Sequence, residues 1–382
     1  MPETDLQDLR AGVRDLASSF PAEYWRRCDA AREYPEAFVR ALTEAGWLSV
    51  LIPEEYGGGG LGLAEASVIM EEINSTGAST SACHAQMYTM GAVLRHGSQA
   101  QKRTYLPDIA AGKLRLQAFA ITEPDAGSDT TRITTFARRT SDGYVVNGRK
   151  MWISRVQHSD LMLLLARTTP RDQVAKRTDG LSLFLVDLRA AGSSVRAEPI
   201  DTMVNHETNA VFIDDLELPA DALVGIEGQG FRHVLSGMNA ERILLASESI
   251  GDARWFLDTA SAYARDRVVF GRPIGDNQGV SFPLARAWAD MRAASLVRDR
   301  AAELFDQGET AGTDANIAKL LASEAAWAAA NAAMTTLGGY GMAAEYDVER
   351  KFRESRLYLV APVSNHLILQ HVAGHVLGLG RG

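Results

Sequence analysis

The sequence predicts an α+β protein in three parts: an N-terminal helical domain, a central antiparallel β domain and a C-terminal four-helix bundle. Three observations predict it. Apolar residues recur every three or four positions at both ends of the chain. In the middle the period shortens towards two. The strand-like runs there follow one another with no helix between them, which makes an antiparallel sheet or barrel rather than a Rossmann unit. At 382 residues the chain exceeds what one hydrophobic core usually fills. The changes of texture divide it into residues 1–116, 117–228 and 229–382.

In the first part, "PEAFVRALTEAGWLSVLIP" and "LAEASVIMEEINSTG" carry the helical period, and the second ends in a glycine stop. Between them "PEEYGGGGLG" is a loop, because so much glycine has no place inside a helix. The four glycines do not make a phosphate loop: no strand precedes them, and neither Lys-Ser/Thr nor a spaced G-x-G-x-x-G is present. In the second part "ITTFARRT", "YVVNGRKMWIS", "LMLLLART", "LSLFLVDL" and "NAVFIDDLEL" read as strands, with Asp142-Gly143 as the clearest hairpin turn. In the third part, long Ala-rich stretches such as "TDANIAKLLASEAAWAAANAAMTTL" pack closely as a bundle, and "GGYG" (338–341) interrupts them.

Composition narrows the function. A net charge of −9 argues against nucleic-acid binding, which needs a basic face. Cys28 and Cys83 make neither a disulfide framework nor a metal pair, so a reduced, cytoplasmic setting is expected. The acidic, amphipathic "MPETDLQDLRAGVRDL" is not a signal peptide. Apolar runs such as "LMLLLA" are too short to span a bilayer.

One stretch poses a chemical question. In "SGMNAERILLASESIG" (236–251), Val234, Met238, Glu241, Leu245 and Glu248 share a helical stripe. Glu241 is either the partner of an ion pair on a half-exposed helix, beside Arg242, or a carboxylate kept inside for a purpose.

Five motifs in order carry a resemblance. They are "GWLSVLIPEEYGGGGLG", "QAFAITEPDAGSD" (117–129), "GYVVNGRKMWIS" (143–154), "RVVFGRPIGDNQGV" (267–280) and "LGGYG" (337–341). With them the chain resembles the acyl-CoA dehydrogenase family over essentially its whole length. The resemblance implies a flavoprotein that holds FAD between the β domain and the C-terminal bundle, and a homotetramer built as a dimer of dimers. It also implies oxidation of an acyl thioester to the α,β-enoyl thioester, with electrons passed to an electron-transfer flavoprotein.

The same resemblance assigns residues. Phe119, Ile121 and Thr122 lie on a strand ending in a turn whose amides and hydroxyl suit the flavin edge. Gly127 lets backbone approach the pyrophosphate, and Ser128 serves cofactor and substrate. Trp152 and Ser154 alternate with Ile153 on a strand, so an indole covers the ring while Ser154 bonds its edge; the competing reading of Trp152 is a plain core tryptophan. Arg267, Phe270 and Gln278 match residues that reach the FAD of a neighbouring subunit, Arg267 by a guanidinium suited to pyrophosphate. The bland alternative for Arg267 is a solvated helix-end charge beside Asp266. Gly338 and Gly339 match an adenosine-side contact, and Thr335 stands where many members carry Gln. Ser364 and His366 fall near flavin-contact positions; His366 reads equally as a polar helix-start residue.

The common family members carry their catalytic base in a loop after this bundle segment. Here that position is Pro362, within Ala361-Pro362-Val363-Ser364, which neither takes a proton nor offers an N–H. Losing an oxyanion donor costs a few kcal/mol of transition-state stabilisation unless the Val363 N–H replaces it. A minority of the family, isovaleryl-CoA dehydrogenase among them, places the glutamate on the first long bundle helix, just before an arginine. That position is Glu241, before Arg242, with Met238 and Arg242 beside the substrate and Glu248 as the fallback. A base for so weak a carbon acid works best in an apolar site, and no metal is needed. The expected function is therefore FAD-dependent desaturation of an acyl thioester, bound to CoA or to a carrier protein. The alternatives are an oxidase or enoyl reductase of the same fold, or a scaffold that has lost catalysis.

Overall fold

The computed structural model describes residues 3–380. Helices α1 (Glu3–Ser18), α2 (Ala22–Ala31), α3 (Glu36–Glu44), α4 (Leu63–Ser75), α5 (His84–His96) and α6 (Gln99–Ala110) come first. Strands β1 (Leu116–Ala120), β2 (Phe136–Arg139), β3 (Gly143–Ser154), β4 (Leu161–Arg167) and β5 (Leu181–Asp187) follow. After the short α7 (Leu188–Ala191) come β6 (Val195–Pro199), β7 (Thr208–Pro219) and β8 (Leu223–Val224). The chain closes with α8 (Gly230–Asp266), the hairpin β9 (Val268–Val269) and β10 (Arg272–Pro273), α9 (Gln278–Asp306), α10 (Gly312–Leu337), α11 (Val348–Leu357) and α12 (Asn365–His371). Two compact units result: Val39–Leu61 with Ser81–Met238, and Met1–Phe38 with Gly62–Thr80 and Asn239–Gly382. Among the described residues no helix is long and apolar enough to cross a membrane.

The first unit is built on one sheet in the order β6-β7-β3-β2-β4-β5-β8, with β1 beside β4. The hairpin at Asp142-Gly143 joins β2 to β3, where the Thr140 N–H donates to the Gly143 carbonyl at 2.9 Å. The sheet is not wholly antiparallel, as the sequence suggested. Strand β4 pairs in parallel with β1 and with the end of β2. Its sequence gives the reason, since a strand covered on both faces reads as a continuous apolar run. Leu161, Leu163 and Leu165 pack with Val93, Leu106 and Ile109 of the helices on one face. Met162, Leu164 and Ala166 pack with Phe184 and Val211 on the other. The four-glycine loop is a turn: Gly57 and Gly60 are left-handed (φ 83° and 61°). A Cβ on Gly58 would lie 2.2 Å from the Ile52 carbonyl oxygen.

The end of α5 is fastened to the start of α8 by a histidine pair. The His96 and His233 rings lie 4.4 Å apart. The Ser236 hydroxyl donates to the His233 carbonyl at 2.8 Å and sits 2.7 Å from His96 Nε2. Burial, then His233, Arg95 and Lys102, push His96 down to about 4. The unfolded chain therefore binds more protons than the folded one between pH 6.5 and 4. Stability from this site is full above pH 6.5 and is lost as the pH falls through 4. His96→Gln should flatten that slope relative to wild type by about 1 kcal/mol, a value discounted for the partly exposed ring. Denaturant midpoints across that window check it; parallel curves for the two proteins would refute it.

The second unit is helical. Helix α10 packs against α9, α11 and α12, and α4 packs against α1 and α9. The bundle expected from residue 229 onward thus takes in α1 and α4 from the N-terminal part. Helices α4 and α8 approach so closely that a Cβ on Gly251 would lie 2.4 Å from the Glu71 carbonyl oxygen. Glu71 and Glu72 are buried on α4 and answered by four arginines: Arg10, Arg14, Arg254 and Arg298. Burial alone would raise the Glu71 pKa, but Arg298, Arg254 and Arg10 hold it below the ordinary carboxylate range. Arg298 is fully buried; it donates to Glu71 at 2.6 Å and to the Ser247 hydroxyl of α8 at 2.8 Å.

Candidate active site

In the sheet unit, β1 ends at Ala120 and hands Ile121 and Thr122 to a turn. Half-buried Phe119 lies 6.3 Å, ring to ring, from Tyr88 of α5. Two bonds tie the turn to β3. The Met151 N–H donates to the Thr122 carbonyl at 2.9 Å, and Lys150 Nζ donates to the Ile121 carbonyl at 2.9 Å. Lys150 also pairs with Glu123 at 3.0 Å, with side-chain exposures of 0% and 4%. Glu123 in turn accepts from the Thr134 N–H at 2.6 Å, the Thr134 hydroxyl at 2.9 Å and the Thr135 N–H at 2.9 Å. Burial pushes Lys150 down to about 8, and the Glu123 carboxylate opposes it.

Strand β3 does not alternate evenly here. Its register against β7 shifts between Lys150 and Ile153, and Trp152 is left-handed at φ 62°. The extra residue lets Lys150 and Ile153 both point inward, while the Trp152 indole stands 58% exposed. Ile153 remains buried between exposed Trp152 and half-buried Ser154, so the shared outward side expected for 152 and 154 survives the bulge. A plain core tryptophan does not describe an indole so exposed. Gly127 and Ser128 lie on the exposed turn after Glu123, and a Cβ on Gly127 would meet nothing within 4 Å. Met238 is half-buried and packs on the core of this unit.

In the helical unit, Glu241 lies on α8 with only 7% of its surface exposed. Arg242 donates to Asn239 Oδ1 at 2.9 Å, and burial holds its pKa below the ordinary value. Glu248, the fallback, is fully buried on the same helix. Arg267, Gly338 and Gly339 come together with Tyr263, Thr336 and Tyr340 around a cavity of about 570 Å³. Phe270 stands 101% exposed at the tip of the β9–β10 hairpin, with φ 53°. Gln278 begins α9 and is exposed; neither residue lines that cavity.

The loop holding Pro362 is pinned from below by a lysine that sequence reasoning missed. Lys319 of α10 is buried and donates to the Val363 carbonyl and to Asn365 Oδ1, each at 2.8 Å. Burial, then Arg242, push Lys319 down to about 7. Ser364 caps α12 by accepting from the Leu367 N–H at 3.3 Å, and His366 is exposed in its first turn. The signal for Lys319 was available, as a lone lysine between Ala318 and Leu320 in an Ala-rich helix.

These surfaces suit FAD. The sheet unit offers an exposed indole for a flat ring and the amides and hydroxyl of the 121–122 turn for its edge. The helical unit offers a cavity with one guanidinium and two glycines, and a Cβ on either glycine would meet nothing within 4 Å. A flavin-dependent oxidoreductase is the class such a chain defines. Family profiles agree. The acyl-CoA dehydrogenase N-terminal, middle and C-terminal domains match residues 3–113, 118–216 and 228–364. The chain is 36% identical over 378 residues to the acyl-CoA dehydrogenase fadE12 of Mycobacterium bovis, covering 98% of this chain and 96% of that one. It is 32% identical over 384 residues to the glutaryl-CoA dehydrogenase of Desulfococcus multivorans, covering 98% and 97%. The solved glutaryl-coenzyme A dehydrogenase glutaryl-CoA complex matches with a TM-score of 0.93 at 30% identity, covering 100% and 97%. The chain belongs to the acyl-CoA dehydrogenase family. It is an FAD-dependent oxidoreductase that desaturates an acyl-CoA.

Proposed function

We propose that Glu241 is the base that removes the α-proton from the acyl thioester. The observation that carries this reading is a carboxylate 7% exposed on a helix between buried Ala240 and Ile243, in a chain whose loop position holds Pro362. The Glu241 carboxylate takes the Cα proton and becomes the neutral acid. Bound FAD supplies the acceptor, at N5, for the β-hydride. Lys319 and Asn365 fix the 363–365 segment so that the Val363 N–H polarises the thioester oxygen in place of the N–H that Pro362 lacks. Ser128, Met238 and Arg242 border the substrate. Phe119, Ile121, Thr122, Trp152 and Ser154 hold the ring, with Ser364 and His366 near it, and Gly127 approaches the pyrophosphate. Arg267, Phe270 and Gln278 reach the FAD of a neighbouring copy, Arg267 at its pyrophosphate, and Gly338 and Gly339 serve the adenosine side.

The reading carries further assignments. The three parts, 1–116, 117–228 and 229–382, act as the working domains. Exposed apolar side chains at Phe270, Phe282 and Trp288 support a homotetramer. An electron-transfer flavoprotein is the electron acceptor, in the cytoplasm. Anaerobic titration of the FAD-loaded protein with straight, branched and dicarboxylic acyl-CoA and acyl-carrier-protein thioesters tests the activity. At least one thioester should bleach the flavin stoichiometrically, and reoxidation should be fast with electron-transfer flavoprotein and slow in air. No bleaching with any thioester would favour the scaffold reading, and fast reoxidation in air the oxidase.

A further inference from the structure

We propose that the Lys150–Glu123 ion pair sets the electron affinity of bound FAD, with the Lys150 ammonium placed behind the Ile121–Thr122 edge to favour negative charge on the ring. The proposal rests on the reading that this turn and the 152–154 segment hold the flavin. Its geometry is directional. The ammonium end touches the Ile121 carbonyl at 2.9 Å, while the carboxylate end points away into the Thr134 and Thr135 N–H groups at 2.6 and 2.9 Å. The pair is therefore a fixed dipole with its positive pole against the segment that carries the flavin-edge donors. With the Lys150 side chain 0% exposed, neither water nor salt screens that pole well.

A hydride brings two electrons and one proton to a neutral ring, so the ring gains one negative charge. A positive pole behind the edge stabilises that charge and leaves the oxidised ring nearly unaffected. It therefore strengthens binding of the reduced cofactor over the oxidised one. Shape does not require the pair, because buried ion pairs are often replaced by uncharged residues of similar volume without loss of stability. Lys150 is a positioning residue for charge: its ammonium acts on the ring through the Ile121 segment it touches at 2.9 Å, not by direct contact.

The double variant Glu123→Gln/Lys150→Met tests the proposal, because it removes both charges together, and Lys150→Met alone accompanies it. The reduction potential of the bound FAD is measured against reference dyes, and the melting temperature of the apoprotein is recorded beside it. The double variant should retain FAD and lose about tenfold in its preference for the reduced over the oxidised cofactor. For a two-electron couple that is a potential lower by about 30 mV. A potential equal to wild type in the double variant overturns the proposal, whatever the single variant does to folding. Thr122→Val separates the layers. If it leaves FAD affinity and spectrum untouched, the flavin is not held at this turn, and both readings fall. If it perturbs the flavin while the double variant keeps the wild-type potential, only the ion-pair proposal falls.

Discussion

Replacing Glu241 with glutamine is expected to leave FAD bound and to slow flavin bleaching by substrate about 10³-fold or more. Glutamine has nearly the same volume as glutamate, so the packing of α8 around position 241 is kept. What disappears is the group able to take a proton, and a positioned general base is worth roughly 10²–10⁴ in rate. Stopped-flow anaerobic reduction gives the number, and thioester affinity measured by spectral shift should change far less. A reduction rate within tenfold of wild type would remove Glu241 from the mechanism. In that case Glu248→Gln becomes the decisive variant, since Glu248 is the other buried carboxylate of the expected stripe. The two variants also separate a base from a structural ion pair. Loss of an ion pair shows first in the melting temperature, loss of the base first in the rate.

The largest stability effect is expected at Lys351. This side chain is 0% exposed and lies 2.6 Å from Asp252 Oδ1, itself 0% exposed, and 3.1 Å from Glu354. It also donates to the Ala78 carbonyl at 3.0 Å. Burial raises Asp252 to about 6 even though Lys351 pulls against it. At neutral pH Asp252 is above its pKa and charged, and Lys351→Met strands buried carboxylates without their partner. Breaking a buried pair from one side costs about 3–5 kcal/mol, so the variant should lose that much in denaturant unfolding. Part of the loss should return when Asp252→Asn is added, because the amide carries no charge, its oxygen can still accept from Asn74 and its NH2 can donate to the Tyr358 hydroxyl oxygen. A single-variant loss below 1 kcal/mol would mean the site takes up water. The sign with pH is the reverse of that at His96. An acid whose folded pKa is raised contributes stability below pH 3.8 that is lost as the pH rises through 6.

Much of the fold is legible along the chain, because period and turn chemistry are local. The hairpin at Asp142-Gly143 and the glycine-rich turn at 57–60 follow from two or three residues each. The parallel pairing of β4 with β1 does not, since "LMLLLAR" is compatible with either direction and its partners lie far away in sequence. In the site, Trp152 could be named from its motif, but its exposure depends on a bulge that no strict alternation contains. Even alternation puts residues 150, 152 and 154 on one side; the extra residue turns Lys150 inward instead. Lys150, Lys319 and Lys351 share this difficulty. In sequence a buried lysine resembles any surface lysine, and only its partners, 27, 46 and 99 positions away at Glu123, Asn365 and Asp252, distinguish it.

The helical unit draws on Met1–Phe38, Gly62–Thr80 and Asn239–Gly382. During synthesis its earliest helices must wait for more than half the protein to emerge before they meet their partners. In the interval the apolar and acidic faces of α4 stand uncovered, while the intervening sheet unit has everything it needs to fold. A fragment beginning at the third part would lack Glu71, Glu72 and the Ala78 carbonyl, and so would leave Arg298 without its buried carboxylate and Lys351 without one of its acceptors. Cutting the chain at its periodicity boundaries would therefore leave uncovered faces on every piece, the middle one losing the Val93, Leu106 and Ile109 side chains that cover β4, so the whole chain is the smallest piece that can be handled.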